Sequence, residues 1–148
     1  MQFHAQASLP TPRAPTRRLR IVVADDDRLL RGVVADVLRA EGHEVEEVAD
    51  GEALLLRVVR SFAVGARALP AIDLIISDVC MPRGTGLDVV RRLRGVRKTT
   101  PVVLMSGSAD GGLAARAREL DAGFLEKPFT VDALRATMSE ALRIAPPR

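Results

Sequence analysis

Five short apolar runs, separated by stretches of helical periodicity, constrain this chain more than any other feature of it. The runs are LRIVVA (Leu19 to Ala24), EVEEVA (Glu44 to Ala49), DLIIS (Asp73 to Ser77), VVLMS (Val102 to Ser106) and GFLEK (Gly123 to Lys127). They are strand-sized and rich in Val and Ile, and three are nearly continuous in apolar character, as strands buried on both faces of a parallel sheet are. Between the first two, Leu29, Leu30, Val33, Val34, Val37 and Leu38 recur at helical spacing and end at Gly42, a residue suited to a helix C-cap. Similar stripes run through Leu54, Leu55, Val58, Val59 and Phe62, through Leu87, Val90 and Leu93, from Leu113 to Leu120, and through Leu134, Met138 and Leu142. Strands alternating with helices make βαβ units, whose right-handed crossovers set helices on both faces of the sheet. The expected fold is α/β: a doubly wound (βα)5 domain around a five-stranded parallel sheet.

Composition narrows the function. With 148 residues, 47% hydrophobic and 28% charged, the chain has the balance of one soluble domain, large enough to need neither disulfide nor structural metal. Four Phe with no Trp or Tyr mean an aliphatic core and argue against nucleic-acid binding by base stacking. A lone Cys80, with only His4 and His43 beside it, excludes a disulfide scaffold and a Cys/His zinc site. No apolar run approaches the roughly 20 residues that span a bilayer, and the N-terminus lacks a secretory stretch. Arg17-Arg18 leads into Arg20 and Asp25 rather than an export signal, so the expected compartment is the cytoplasm.

Residues 1–18, MQFHAQASLPTPRAPTRR, with Pro10, Pro12 and Pro15 among small polar residues, are expected to be a disordered arm. Residues 19–144 form the domain and 145–148 a short tail. Up to Arg20 the chain carries four arginines and no acid, which leaves the remainder nearly neutral. A solvated basic tail is the preferred reading of that arm over a binding site for acidic partners.

In doubly wound sheets ligands gather at the C-terminal ends of the strands. There the first strand presents Asp25, Asp26 and Asp27, the third runs into Asp78, the fourth ends at Ser106 and the fifth at Lys127. Acids at a strand end also cap the following helix, so Asp25 and Asp26 alone would be a weak signal. Carboxylates converging from two strands, however, repel one another unless a cation intervenes, and an oxygen-only set suits Mg²⁺ before Ca²⁺ or zinc. Asp78 precedes the turn PRGTG, which leaves it open to solvent. A carboxylate there can act as a nucleophile toward phosphorus, with Lys127 neutralising phosphoryl oxygens, Ser106 offering a hydroxyl and backbone N–H groups near Gly107 assisting.

From about Arg20 to Arg143 the sequence resembles the receiver domain of bacterial two-component response regulators, through IVVADDD, DLIISDVCMPRGTG, PVVLMSG and GFLEKPF. The resemblance implies a flavodoxin-like receiver fold with Asp78 as phosphoacceptor. It further implies Asp25 and Asp26 as the acidic pair holding Mg²⁺, and Cys80 as donor of a backbone carbonyl to the metal. Ser106 matches the family's switch hydroxyl, Lys127 its lysine, and Phe124 its aromatic switch position, here without a hydroxyl. Lys127–Pro128 falls where the family usually holds a cis bond. The phosphoryl lifetime would depend on Cys80 and Ser108.

Departures accompany the match. Between Asp50-Gly51 and Asp73 the chain is longer than the family pattern, with RSFAVGARALPAI filling the excess, and a longer second helix and loop (segment 60–72) is the expected account. Gly32 interrupts the first helix, where it weakens an exposed helix by about 1 kcal/mol relative to Ala. The basic segment Arg91 to Lys98 is read as a solvated face.

The leading functional expectation is a stand-alone receiver that takes a phosphoryl group from a histidine kinase or phosphotransfer protein. It would signal to a downstream protein target as a switch or pass the group on as a relay, without direct DNA binding. A homodimer through the fourth and fifth helices stays open. The alternatives are a phosphorylation-independent adaptor and an aspartate-nucleophile phosphohydrolase. The latter normally carries its nucleophile on the first strand with a cap domain, unlike Asp78 on the third.

Overall fold

A computed structural model describes residues 17–96, 98–108 and 111–144. Strands β1 (Arg20–Ala24), β2 (Glu44–Val48), β3 (Leu74–Asp78), β4 (Val102–Ser106) and β5 (Gly123–Glu126) alternate with helices α1 (Arg28–Ala40), α2 (Gly51–Ser61), α3 (Gly86–Gly95), α4 (Gly111–Glu119) and α5 (Val131–Ile144). All five strands are parallel, in the order β2-β1-β3-β4-β5. The expected doubly wound (βα)5 architecture is therefore present. Element ends differ by a residue: Leu19 and Ala49 fall outside their strands, Asp78 lies within β3, and Lys127 lies just beyond β5.

Because side chains alternate across a strand, each central strand feeds two cores. Ile21, Val23, Leu74, Ile76, Val103 and Met105 pack with Val34 and Leu38 of α1 and Leu134 and Met138 of α5. Val22, Ala24, Ile75, Val102 and Leu104 pack on the other face with Leu54 of α2, Leu87, Val90 and Leu93 of α3, and Ala117 of α4. Leu38, Leu54 and Leu104 are fully buried. Truncating any one of them to Ala removes about 2–5 kcal/mol, a large part of the total of roughly 5–15 kcal/mol typical of a domain.

The edge strand β2 is EVEEV rather than an apolar run because it has a solvent side to protect. Its glutamates are held by arginines: Glu44 by Arg20 at 2.9 Å, Glu47 by Arg39 at 3.1 Å and Glu46 by Arg57 at 2.5 Å. Asp27, Asp50 and Thr85 cap α1, α2 and α3, each accepting a backbone N–H of the first turn. At the end of α1, Gly42 takes φ 92° while the N–H of His43 reaches Leu38 O and that of Gly42 reaches Arg39 O, the paired closure that favours glycine here. Nothing lies within 4 Å of a Cβ built on Gly32, so no packing demand accounts for that glycine.

The excess between α2 and β3 is a loop folded back on α2. Leu69 N–H donates to Arg60 O at 2.9 Å, and Arg57, only 6% exposed, donates to Pro70 O at 3.0 Å. Lys98 lies over the Phe62 ring, 4.6 Å from its centroid. Arg17 and Arg18, at the end of the expected arm, pair with Asp73 and Glu44; residues 1–16 and 145–148 lie outside the described residues. One expectation needs correction. Within the basic segment, Arg94 is no solvated cation: it donates to Leu120 O and Lys98 O at 2.8 Å each and to Thr100 O at 3.2 Å, tying the α3–β4 loop to the end of α4. Among the described residues no helix is long and apolar enough to cross a membrane.

Candidate functional site

The chain leaves β1 to build β2 on one side and later returns to place β3 on the other, so a crevice opens at the C-terminal ends of β1 and β3. Asp25 follows β1 and Asp78 ends β3, one on each side of that crevice. With Asp26 they bring carboxylate oxygens within 4.8 Å of one another. Asp25 is fully buried, Asp78 is 8% exposed, and Asp26 faces solvent.

Each inner carboxylate is held at both oxygens. Asp25 Oδ1 accepts the Asp27 N–H at 2.9 Å and Asp78 Oδ1 accepts the Cys80 N–H at 2.9 Å. Their other oxygens share Lys127, whose Nζ lies 2.9 Å from Asp25 and 2.7 Å from Asp78. Burial pulls the Lys127 pKa down, but the hydrogen bonds and charges of Asp78 and Asp25 together outweigh it, so it lies above the ordinary lysine value. Lys127 is therefore an ammonium at neutral pH.

Three carboxylates against one ammonium leave the rim with excess negative charge. The donor set is oxygen only, with two donors fixed by backbone hydrogen bonds and the third free to adjust from the surface. That chemistry fits a hard divalent cation that keeps part of its water shell.

Of the remaining sequence candidates, Cys80 and Ser106 hydrogen-bond to Asp78 and Lys127 respectively, while Phe124, on β5, lies three residues before Lys127. Ser106 is buried at the end of β4; its Oγ accepts the Ser108 N–H at 3.1 Å and its carbonyl accepts the Lys127 N–H at 2.7 Å. Phe124, beside Leu104 on β5, is half-buried against the core beneath α2, α3 and α4. Cys80 is exposed next to Asp78, and the Lys127–Pro128 bond is cis.

Two supports escaped the sequence reading. Asp27 caps α1 rather than joining the cluster, and its backbone fixes Asp25; a first-turn cap before an apolar stripe was the available signal. Arg31, one turn into α1, donates to Asp25 O at 2.7 Å and reaches Glu47 at 3.4 Å. Nothing local in the sequence marks an arginine that binds a backbone carbonyl.

Residues 21–139 match the family model described as the response regulator receiver domain. The chain is 38% identical over 128 residues to the response regulator protein PmrA of Pseudomonas aeruginosa, covering 84% of the chain and 53% of that protein. It is 33% identical over 135 residues to the transcriptional regulatory protein FixJ of Bradyrhizobium diazoefficiens, covering 89% and 60%. It thus spans little more than half the length of these curated relatives. Among solved structures it is similar to the chemotaxis protein CheY4 of Vibrio cholerae, at 29% identity and TM-score 0.69, covering 85% of this chain and all of that one. It is also similar to the receiver domain of the hybrid histidine kinase CckA, at 35% identity and TM-score 0.61, covering 83% and 98%.

Proposed function

Because the chain belongs to the response regulator receiver family, we propose that it takes a phosphoryl group onto Asp78 from a histidine kinase or phosphotransfer protein and signals by altered binding of a downstream protein. The observation that carries this reading is Lys127 bridging Asp25 and Asp78 beside a third carboxylate, Asp26. In the transfer, an Asp78 carboxylate oxygen forms a bond to phosphorus as the donor's phosphorus–nitrogen bond breaks, and the departing imidazole regains a proton from solvent.

Each residue has a part in that exchange. The Cys80 N–H holds one Asp78 oxygen and leaves the carboxylate oriented. Lys127, already paired with the other oxygen, is placed to follow charge onto the phosphoryl group. Asp25, Asp26 and Asp78, with the Cys80 carbonyl, would hold Mg²⁺, which when bound neutralises phosphoryl oxygens in the transfer. The site works in the cytoplasm, where the ATP-fed donors of such transfers act.

Ser106 supplies the switch contact by exchanging its bond with the Ser108 N–H for one with a phosphoryl oxygen, and Phe124 follows inward. A hydrogen bond to a charged group is worth roughly 1.5–3 kcal/mol, whereas carrying an equilibrium from 1:99 to 99:1 takes about 5.5 kcal/mol. Ser106 therefore acts together with Lys127 rather than alone. The output surface is that of α4, β5 and α5. DNA is not contacted by this domain, and a homodimer through α4 and α5 is one form the altered binding can take.

Intact-mass measurement after incubation with acetyl phosphate tests the reading. One phosphoryl group is expected with Mg²⁺, none with EDTA, and none on an Asp78→Ala variant. No adduct under conditions that label a known receiver, and none from an added histidine kinase, would replace phosphotransfer with constitutive adaptor binding. The decay rate of the adduct then separates relay from switch.

A further inference from the structure

The loop that follows the phosphoacceptor strand holds an unfavourable backbone shape. Arg83 takes φ 56° and Gly84 φ 114°, two consecutive left-handed residues, the first with a Cβ to accommodate. Such a conformation persists only where its surroundings over-determine it. From within, the loop is closed by the Gly86 N–H on Val79 O at 3.2 Å. Gly86 also packs so closely on the Asp78 carbonyl that a Cβ there would overlap it.

From outside, it is closed by the start of α2. The Gly51 N–H donates to Pro82 O at 3.1 Å. A Cβ on Gly51 would collide with the Gly84 carbonyl, so backbone lies directly on backbone. Asp50 divides its carboxylate: Oδ1 caps α2 through the Ala53 N–H at 2.8 Å, and Oδ2 pairs with Arg83 at 3.1 Å.

The start of α2 is therefore linked to the reacting group through one short path: Gly51 to Pro82 and Gly84, then the Met81–Cys80 backbone, then the Cys80 N–H on Asp78 Oδ1. We infer that Gly51 is a positioning residue for the phosphoacceptor, holding the Pro82–Gly84 turn so that Cys80 presents its N–H to Asp78 and its carbonyl to the cation. This rests on the phosphoacceptor reading above. The ion pair is the lesser part, since Arg83 is largely exposed and such pairs contribute little. The backbone contact at Gly51 is the greater part, because it has no side chain that can yield.

The test combines a variant with a measurement on the unaltered chain. Gly51→Ala should fold, as read by far-UV circular dichroism, yet take up phosphate from acetyl phosphate at least tenfold more slowly and need several-fold more Mg²⁺ for half-maximal thermal stabilisation. Asp50→Asn keeps the cap and loses only the charge pair, so its rate should stay within about threefold of wild type. In the unaltered protein, addition of Mg²⁺ should slow amide exchange at Gly51 along with Cys80, and Asp78→Ala should abolish both effects; this arm decides the matter if Gly51→Ala fails to fold. A Gly51→Ala protein that labels and binds Mg²⁺ like wild type overturns the inference, as does a Gly51 amide unmoved while Cys80 responds. Failure of the wild type to label at all would instead overturn the phosphoacceptor reading.

Discussion

The two ends of the parallel sheet treat charge in opposite ways. At the N-terminal ends of the strands, Glu44 lies between Arg18 at 3.1 Å and Arg20 at 2.9 Å, and Asp73 takes Arg17 on one oxygen and the Arg20 backbone N–H on the other. Both acids there have more than one donor. At the C-terminal ends, Asp25 and Asp78 share Lys127, Asp26 stands beside them, and Asp25 is fully buried. One end is neutralised by its own side chains, while the other sets three carboxylates against the single ammonium of Lys127. On the proposed reading, a site that takes a metal and then a phosphoryl group cannot be neutralised internally, so its cost in stability and its chemistry would have the same origin.

Removing the shared cation should break this contrast most severely. Lys127→Ala leaves a buried carboxylate facing another with no counter-charge, and is expected to lower the unfolding free energy by about 3 kcal/mol without Mg²⁺, the lower part of the range for a buried pair because Lys127 is partly exposed. Urea titration followed by circular dichroism is the measure, since the chain has no Trp or Tyr to report by fluorescence. A loss below about 1 kcal/mol would mean that the two rims are energetically alike. Supplying a cation is the converse experiment. Mg²⁺ at about a hundred times its Kd should stabilise the wild type by about 2.7 kcal/mol, reversibly with EDTA, and Asp25→Asn should remove most of that gain. An unfolding curve indifferent to Mg²⁺ would sink the idea that the rim is built for one.

Subtracting a charge rather than adding one gives a smaller effect of the same sign. Asp26 is exposed and lies within 4.8 Å of the other two carboxylates. Asp26→Asn is expected to stabilise the metal-free protein by about 1 kcal/mol, the scale of a like-charge contact at this separation when water screens it as in bulk, which the exposure of Asp26 allows. The same variant should bind Mg²⁺ more weakly, and a destabilised Asp26→Asn would mean that the dipole of α1 outweighs the repulsion.

The edge strand offers a pH counterpart. Hydrogen bonding from Arg57, opposed by burial and aided by the charges of Arg57 and Arg20, holds Glu46 below its ordinary pKa of 4.5. A depressed carboxyl adds stability that is present above that ordinary value and lost as the pH falls through the lowered one. Acid titration of Arg57→Met should therefore show a shallower loss below about pH 4.5 than the wild type.

The fold was legible because Ile21, Val22, Val23, Leu74, Ile75 and Ile76 put apolar side chains on both faces of the central strands, the pattern of a parallel sheet covered on both sides. The rim residues were legible because a strand end has few places to aim a side chain, so Asp25, Asp78, Ser106 and Lys127 had to converge. Less legible was what holds them. Arg94 and Arg31 bind backbone carbonyls, and an acceptor that every residue carries leaves no trace in side-chain identity. Arg57 resembled any charge on a helix, yet it lies buried because the loop before β3 folds back and offers Pro70 O. The contact between Gly51 and Gly84 left no sign in the sequence beyond two glycines in separate segments, Asp50-Gly51 and PRGTG.

The finest test of the contrast lies at its quiet end. Arg20→Ala removes one of the two arginines on Glu44, but Arg18 stays, and the backbone N–H of residue 20 still reaches Asp73. With about a third of each side chain of the Arg20–Glu44 pair exposed, the expected loss is only about 0.5 kcal/mol. Salt should then separate the rims. At roughly 1 M the screening length falls to about 3 Å, which weakens the exposed pair and should erase the Arg20→Ala difference. The loss in Lys127→Ala should persist, since Asp25 is shut away from mobile ions. If the same salt removed both differences, charge at the Asp78 end would be as well screened as at the other, and burial of Asp25 would explain nothing about the site.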